Sequence, residues 1–349
     1  MDSVSQVVLG TSLAHLTLGE RLGKRALIVG AVLGTLPDLD VLVTYADAVE
    51  SFTFHRSWSH SLFVLSLISP PMAWLIQQLF KTSGITYQRC LTGVWLVLIT
   101  HPLLDSFTTY GTQLFWPLMP TPTALGSIFI IDPLYTLPLG IALAVACRRS
   151  YQRSRTIVAC CLIVSTAYLG WTLIAQHQVR VKLENTVARL GIEAQKTMVA
   201  AFPLSLLWRT VVESDTHYYE GFSSLLDTSD DIVLSRYDYG KANCEQWLDN
   251  WPLQRLDWFT QGLFKLSVEG NELVASDLRI GVEGSYIFRF VIGEKNTQQW
   301  QDIQTRLLPV DVDPHRMKLL VKRAADETIV LPPVDSTDAL VPSICPALL

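Results

Sequence analysis

The sequence predicts a membrane α-helical bundle of five to six transmembrane or re-entrant helices, followed by a small soluble α/β domain with an antiparallel sheet. Three observations predict it. Charge is uneven along the 349 residues: positions 1–175 hold 10 Lys+Arg and 8 Asp+Glu, and positions 176–349 hold 17 and 24. Charged residues make up only 17% of the chain and mean hydropathy is +0.29, against about 25% charged in ordinary soluble domains. Apolar runs of the roughly 20 residues that a spanning helix needs recur through the first half. The break near 176 separates a transmembrane portion, 1–175, from a soluble portion, 176–325; a tail, 326–349, rich in proline and small polar residues, reads as loosely ordered. Nothing is basic enough to suggest nucleic acid as a partner.

Four segments meet the spanning length well: 26–45, 61–80, 91–110 and 156–175. A fifth, 127–147, qualifies despite two prolines, which neighbouring helices accommodate in lipid. Segment 4–18, "VSQVVLGTSLAHLTL", is shorter and more polar, and fits a re-entrant, tilted or interfacial helix as well as a span. With five spans the basic clusters Arg21/Lys24/Arg25, Lys81/Arg89 and Arg148/Arg149/Arg153/Arg155 all fall on one side. The positive-inside rule makes that side cytoplasmic. Loops 46–60 and 111–126, and everything after 176, then lie outside. The N-terminus lacks the basic region and cleavage site of a secretory signal and is expected to be retained.

Beyond 176 a helical stretch is expected near 180–200. Strand-like segments follow: "DIVLSRY", "FKLSVEG", "ELVASDL" and "YIFRFVIG", with "VEGNEL" as a hairpin turn between two of them. Cys147, Cys160 and Cys161 lie in apolar runs, where a thiol behaves as a small hydrophobe, and Cys90 begins another. Cys244 and Cys345 would be free to form a disulfide on an oxidising side.

The ionisable residues of the first half carry the chemistry. His15, His55, His60 and His101 lie beside or inside apolar segments, as do Asp38, Asp40, Asp105 and Asp132. At mid-bilayer a charged side chain costs about 2.5–3.5 kcal/mol, so such groups persist where they pair, line a wet cavity or bind an ion. Imidazole with carboxylate is the ligand set of zinc and similar divalent metals. "HPLLD" puts His101 and Asp105 at i and i+4 on one helical face. "PDLD" sets Asp38 and Asp40 around a helix break, and "HRSWSH" places His55 and His60 at a helix entrance with Arg56 between them. Seven residues from four segments, His15, Asp38, Asp40, His55, His60, His101 and Asp105, thus form the predicted metal set, for one or two ions. Asp132 can instead pair with a basic group or a hydroxyl, or cap the helix that Pro133 begins. Ser61 is read as the cap of the following helix. His177, His217 and His315 are read as surface residues.

The order His15, "GTLPDLD" (34–40), "HRSWSHS" (55–61), "HPLLD" (101–105) and Gly111 resembles the membrane-bound metal-dependent hydrolases called YdjM-like, described as LexA-regulated inner-membrane proteins. The resemblance covers about 1–175. The stretches "FPLSLLWRTVVES" (202–214), "DLRIG" (277–281) and "YIFRF" (286–290) are similar to the extra domain of longer members. The resemblance implies a hydrolase in the bacterial inner membrane and names no substrate. The "HxxxD" helix is also similar to one in bacterial zinc phospholipases C, a weaker likeness that points to phosphoesters.

A divalent metal would make the natural chemistry hydrolysis of an ester, phosphoester or amide, on an amphiphilic substrate such as a membrane lipid near the outer leaflet. Asp38 is the candidate general base. Arg56 has two readings: a clamp for substrate or transition-state oxyanions, or an ion pair with Asp38 or Asp40. One placement fits poorly. If 4–18 spans, His15 lies nearer the inner surface than the other candidates. The rival function is a transporter or ion pathway using the same residues as a proton relay or transient metal site; the absence of an evident inverted repeat and the off-centre ligand layer count against it.

Overall fold

The computed structural model describes residues 1–240, 247, 249–296 and 299–332. It is a helical N-terminal region followed by an antiparallel-sheet domain. The chain forms two compact units. The first comprises Met1–Val43, His55–Ile174 and Pro203–Ser205; the second comprises Thr44–Phe54, Ala175–Phe202 and Leu206–Leu349.

In the first unit, α1 (Ser3–Leu22) starts at Asp2, whose carboxylate accepts the Val4 and Ser5 amides, satisfying two N–H groups that the helix itself cannot. Segment 4–18 therefore belongs to a 20-residue helix, and its polar residues Gln6, Thr11, Ser12 and His15 are buried. α2 (Arg25–Thr35) packs closely on it. A Cβ on Gly10 would stand 2.5 Å from the Gly30 carbonyl oxygen, and one on Gly34 2.7 Å from that of Gln6. Only glycine allows backbones to approach so closely.

The continuous span expected at 26–45 is interrupted. α2 ends after 11 residues, and a 3-10 turn, Leu36–Leu42, follows with Pro37 at its start; proline brings no amide to continue an α-helix. The turn carries Asp38 and Asp40. Next come α3 (Ala48–Phe54), which belongs to the second unit, and a 3-10 turn, Trp58–His60. α4 (Leu62–Leu79) is capped by Ser61 as expected, and α5 (Tyr87–Ser106) by Thr86. α6 (Pro133–Arg148) begins later than the run at 127 suggests, because Asp132 caps it and Pro133 takes its first position. α7 (Tyr151–Leu190) is 40 residues long.

Among the described residues two helices are long and apolar enough to cross a membrane, α4 and α7; α6 is a shorter apolar helix. Burial does not account for their apolarity, since only 22% and 17% of their most apolar windows are covered by protein. Leu67, Trp74 and Leu79 on α4, and Ile163, Val164 and Ile174 on α7, are exposed. So are Ile28 and Val32 on α2 and Leu137 on α6. Such outward apolar faces match a lipid environment.

In the second unit Ala175, Val179, Leu183 and Val187, four residues apart along α7, pack with Val199, Ala201, Trp208 and Val212. Gly191, at φ +65°, ends the helix. Part of the stretch expected to be helical therefore opens β1 (Lys196–Ala201) instead. β1, β2 (Leu207–Glu213), β3 (His217–Ser224) and β4 (Leu234–Asp238) form an antiparallel sheet in sequence order. α8 (Trp251–Thr260) precedes the second sheet. That sheet uses β5 (Phe264–Glu269), β6 (Glu272–Asp277), β9 (Arg289–Asn296) and β10 (Gln299–Leu307) in the order β10-β9-β6-β5; β7 (Gly281–Val282) and β8 (Ser285–Tyr286) make a hairpin between β6 and β9, and α9 (Pro314–Arg323) follows. The predicted "VEGNEL" hairpin is present: Glu269 pairs with Glu272 across Gly270, whose φ is +62°.

Cys90, Cys147, Cys160 and Cys161 are free thiols. Cys244 and Cys345, and the tail from 333, lie outside the described residues.

Candidate metal centre

Two short turns and one helix build the site. α5 presents His101 and Asp105 one turn apart, the Leu36–Leu42 turn presents Asp38, and the Trp58–His60 turn presents His60. One ligand atom from each of these four residues lies within 4.8 Å of all the others. His60, His101 and Asp105 are buried, and the Asp38 side chain is 17% exposed.

The hydrogen bonds around the cluster decide how its imidazoles point. His101 Nδ1 lies 2.7 Å from the Gly34 carbonyl oxygen and must donate to it, which in the neutral ring leaves Nε2 as an acceptor. Ser59 Oγ donates to Asp40 Oδ2 at 2.6 Å and lies 2.9 Å from His60 Nδ1. The hydroxyl proton is thus used on Asp40, so His60 Nδ1 donates to Ser59 and, in the neutral ring, its Nε2 too is left as a lone pair. Both lone pairs face carboxylate oxygens. His60 Nε2 is 3.3 Å from Asp38 Oδ1 and 3.1 Å from Asp105 Oδ2; His101 Nε2 is 3.3 and 3.5 Å from the same two atoms. His60 Nε2 and Asp105 Oδ2 are buried with no hydrogen bond. Four acceptors turned on one another repel unless a cation or shared protons lie among them. Two imidazole nitrogens and two carboxylates are a zinc-type donor set, with the far ring nitrogens oriented by a carbonyl and a hydroxyl as outer groups orient metal-bound histidines. The residues fit a metal.

The other predicted ligands are placed differently. Asp40 accepts from His55 Nδ1 at 2.8 Å, the Arg56 amide at 2.9 Å and Ser59 Oγ; it orients the centre from outside the four. His55 is held on Asp40 with its side chain 23% exposed, and its ring lies 6.0 Å, edge to face, from that of His60. His15 is not brought to the cluster: its Nε2 is 2.9 Å from Ser154 Oγ on α7 and its ring lies against Tyr151. Asp132 caps α6 and accepts from Tyr168 Oη at 2.9 Å.

Arg56 is buried and adopts φ +60°, a left-handed conformation that costs a non-glycine residue about 1–3 kcal/mol and is held only by its surroundings. Its amide on Asp40 and its carbonyl, which accepts the Gln113 amide at 3.0 Å, hold it there. The carboxylate within reach of its guanidinium is Asp105, with Nε 3.4 Å from Oδ2, rather than Asp38 or Asp40. The plane also lies 5.1 Å from the Tyr110 ring centre.

Several contributors had no signal of their own in the sequence. Gln6 Nε2 donates to Asp105 Oδ1 at 2.9 Å and to the His101 carbonyl at 3.2 Å. The Met1 amine also contacts Asp105 Oδ1. Ser59 lies inside "HRSWSHS" and Gly34 begins "GTLPDLD", so their placement in those motifs was the available clue.

The later motif stretches are structural. Arg209 donates to a single Glu220 oxygen, Oε2, through Nε at 2.9 Å and Nη2 at 2.7 Å, whereas Arg279 grips both Asp277 oxygens through Nε at 3.0 Å and Nη2 at 2.7 Å, all four residues buried. Trp208 is fully buried in the core.

The family model described as YdjM inner membrane protein matches residues 1–179. The inner membrane protein YbcI of Escherichia coli K12 is 34% identical over 93 residues, 26% of this chain and 52% of that protein, so the chain spans about half of it. The uncharacterized protein YfhP of Bacillus subtilis 168 is 24% identical over 316 residues, 84% of this chain and 90% of YfhP. No solved structure matches. Resting on a family match over half of its length that contains every residue of the centre, the chain belongs to the YdjM inner membrane protein family.

Proposed function

We propose that the protein is a metal-dependent hydrolase of the bacterial inner membrane, with zinc or a similar divalent ion held by Asp38, His60, His101 and Asp105. One observation carries the reading: two imidazole lone pairs and two carboxylates converge in a buried site with His60 Nε2 and Asp105 Oδ2 unbonded. A divalent ion bound there would supply an activated water and polarise a carbonyl or phosphoryl oxygen.

The chain's own groups divide the remaining work. Asp38, the most open of the four, would take the proton of an attacking water. Arg56 Nε makes no hydrogen bond and supplies a donor toward an oxyanion beside Asp105. Asp40, Ser59 and Gly34 keep the two imidazoles in one tautomer. The outward apolar faces of α2, α4, α6 and α7 support a multi-pass bundle of five to six membrane helices. Together with the basic clusters at 21–25, 81–89 and 148–155, they support a C-terminal domain outside the cytoplasm. A centre opening within that bundle suits an amphiphilic ester, phosphoester or amide.

Metal analysis of the detergent-purified protein, followed by a hydrolysis screen over phospholipids and soluble phosphoesters, tests this reading. One or two ions per chain with metal-dependent turnover supports it. Metal-free protein after loading, or metal uptake into proteoliposomes without any hydrolysis, overturns it.

A further inference from the structure

Residues 44–54 are short of chemistry, and the sequence places 44–45 at the end of a span and 46–54 in an outer loop. The structure makes them part of the C-terminal unit, although the chain on either side, Met1–Val43 and His55–Ile174, belongs to the other. The segment is deeply held. Phe52 is buried with its ring 4.8, 4.5 and 5.2 Å from those of Phe259, Phe288 and Phe290. The Asp47 carboxylate accepts the Thr305 amide at 2.9 Å and hydroxyl at 2.6 Å, and Thr305 Oγ1 in turn lies 3.0 Å from the Val49 amide. Arg255 Nε donates to Thr53 Oγ1 at 2.9 Å and lies 4.7 Å over the Phe54 ring.

The two ends of this anchored segment carry the orienting layer of the centre. Asp40 stands four residues before Thr44; His55 follows Phe54 directly, and the Arg56 amide and Ser59 hydroxyl come next. Asp40 bonds all three. How well Asp40 meets Arg56 and Ser59 therefore depends on how the intervening chain is tied at each end. We infer that the C-terminal domain is a positioning domain for the metal centre: through Phe52 and Asp47–Thr305 it fixes the chain between Asp40 and Arg56, and so orients His60. This rests on the metal reading above only for its consequence, since the tie itself exists without an ion.

The test uses full-length protein and two readouts. Hydrogen exchange of the metal-free protein reports the Arg56 amide, whose acceptor is Asp40. Cobalt(II) titration, followed by its visible absorption, reports the centre. Phe52→Ala and Thr305→Val should each speed exchange in the 55–61 peptide at least tenfold and weaken cobalt about tenfold, the range found when groups orienting a metal ligand are removed. Phe52→Leu, which refills most of the volume, should restore both. Thr305→Val changes no volume and decides the matter if Phe52→Ala fails to fold. Unchanged exchange at 55–61 in a folded Thr305→Val protein overturns the inference. Faster exchange in a protein whose wild type takes up no cobalt upholds the positioning role and refutes the metal reading instead.

Discussion

His101 Nδ1 donates to the Gly34 carbonyl oxygen at 2.7 Å, so a helix-borne imidazole takes its orientation from the last turn of α2. Gly34 can stand there because its missing Cβ lets the Gln6 carbonyl come close, and Gln6 in turn bonds Asp105. Gly34→Ala should therefore act at a distance. The new methyl would meet the Gln6 oxygen at 2.7 Å, and overpacking of this kind costs about 1–3 kcal/mol. Thermal unfolding in detergent should show that loss, with weaker metal retention at the centre.

His60→Ala and Asp105→Ala each remove one of four donors. Each variant should insert into the membrane at wild-type levels and lose metal at least tenfold in affinity. Full metal content in both would sink the shared centre.

Asp40→Asn and Ser59→Ala probe the groups behind His60. Ser59→Ala takes away the acceptor that fixes Nδ1–H, so the ring is free to present the wrong nitrogen. Both should cost 10–100-fold in metal affinity, in line with other orienting groups. Equal affinity in titration against a chelator would show that the tautomer is set some other way.

Arg56→Gly separates backbone from side chain. Removing the buried partner of Asp105 destabilises either truncation, to glycine or to alanine. Glycine, however, accepts φ +60° without strain, so Arg56→Gly should unfold at a higher temperature than Arg56→Ala, whereas turnover should fall in both with metal still bound. Arg56→Lys should not rescue turnover, because an ammonium lacks the guanidinium's fork of donors. Wild-type turnover in Arg56→Gly would remove the guanidinium from the mechanism.

The C-terminal domain should be acid-sensitive through Glu283. Burial alone would raise its pKa, but Lys265, 2.6 Å away, with hydrogen bonds from Tyr218 and Tyr286, holds it below the usual carboxylate range. A depressed folded pKa means the stabilisation is present in full above the unfolded value of about 4.3 and disappears as pH falls through the folded one. Glu283→Gln should cost about 1–3 kcal/mol at neutral pH and flatten the stability profile below pH 4.3. An unchanged profile would assign the acid sensitivity elsewhere.

Much of the centre was legible because its spacing is local. "HPLLD" fixes two ligands by helical geometry alone, and "PDLD" and "HRSWSH" announce polar residues where lipid would exclude them. What stayed hidden depended on tertiary placement. Nothing in "HRSWSH" says that His60 turns inward while His55 stays on Asp40. His15 matches a ligand by residue type, and a re-entrant or tilted first helix would have carried it to the others; it bonds Ser154 instead. The broken helix at 36–42 followed from Pro37, which a hydropathy window averages away. The helix expected to run to about 200 stops short because Gly191 adopts φ +65°, which leaves 196–201 to form a strand. That 44–54 belongs to the C-terminal domain could not be read from a loop of ordinary composition.

The length of α7 has a consequence for the lipid around it. Forty residues rise about 60 Å, twice a hydrocarbon core of about 30 Å. Ile163, Val164, Trp171 and Ile174 on its first part are exposed, and Ala175, Val179, Leu183 and Val187 beyond them pack into the second unit. With its first part in lipid, the helix could not draw the second part in without stripping the second unit's core of one wall. Acyl-chain length becomes a variable the protein must answer by tilting or by deforming the bilayer, and activity measured in thin and thick membranes should not be assumed to be the same quantity.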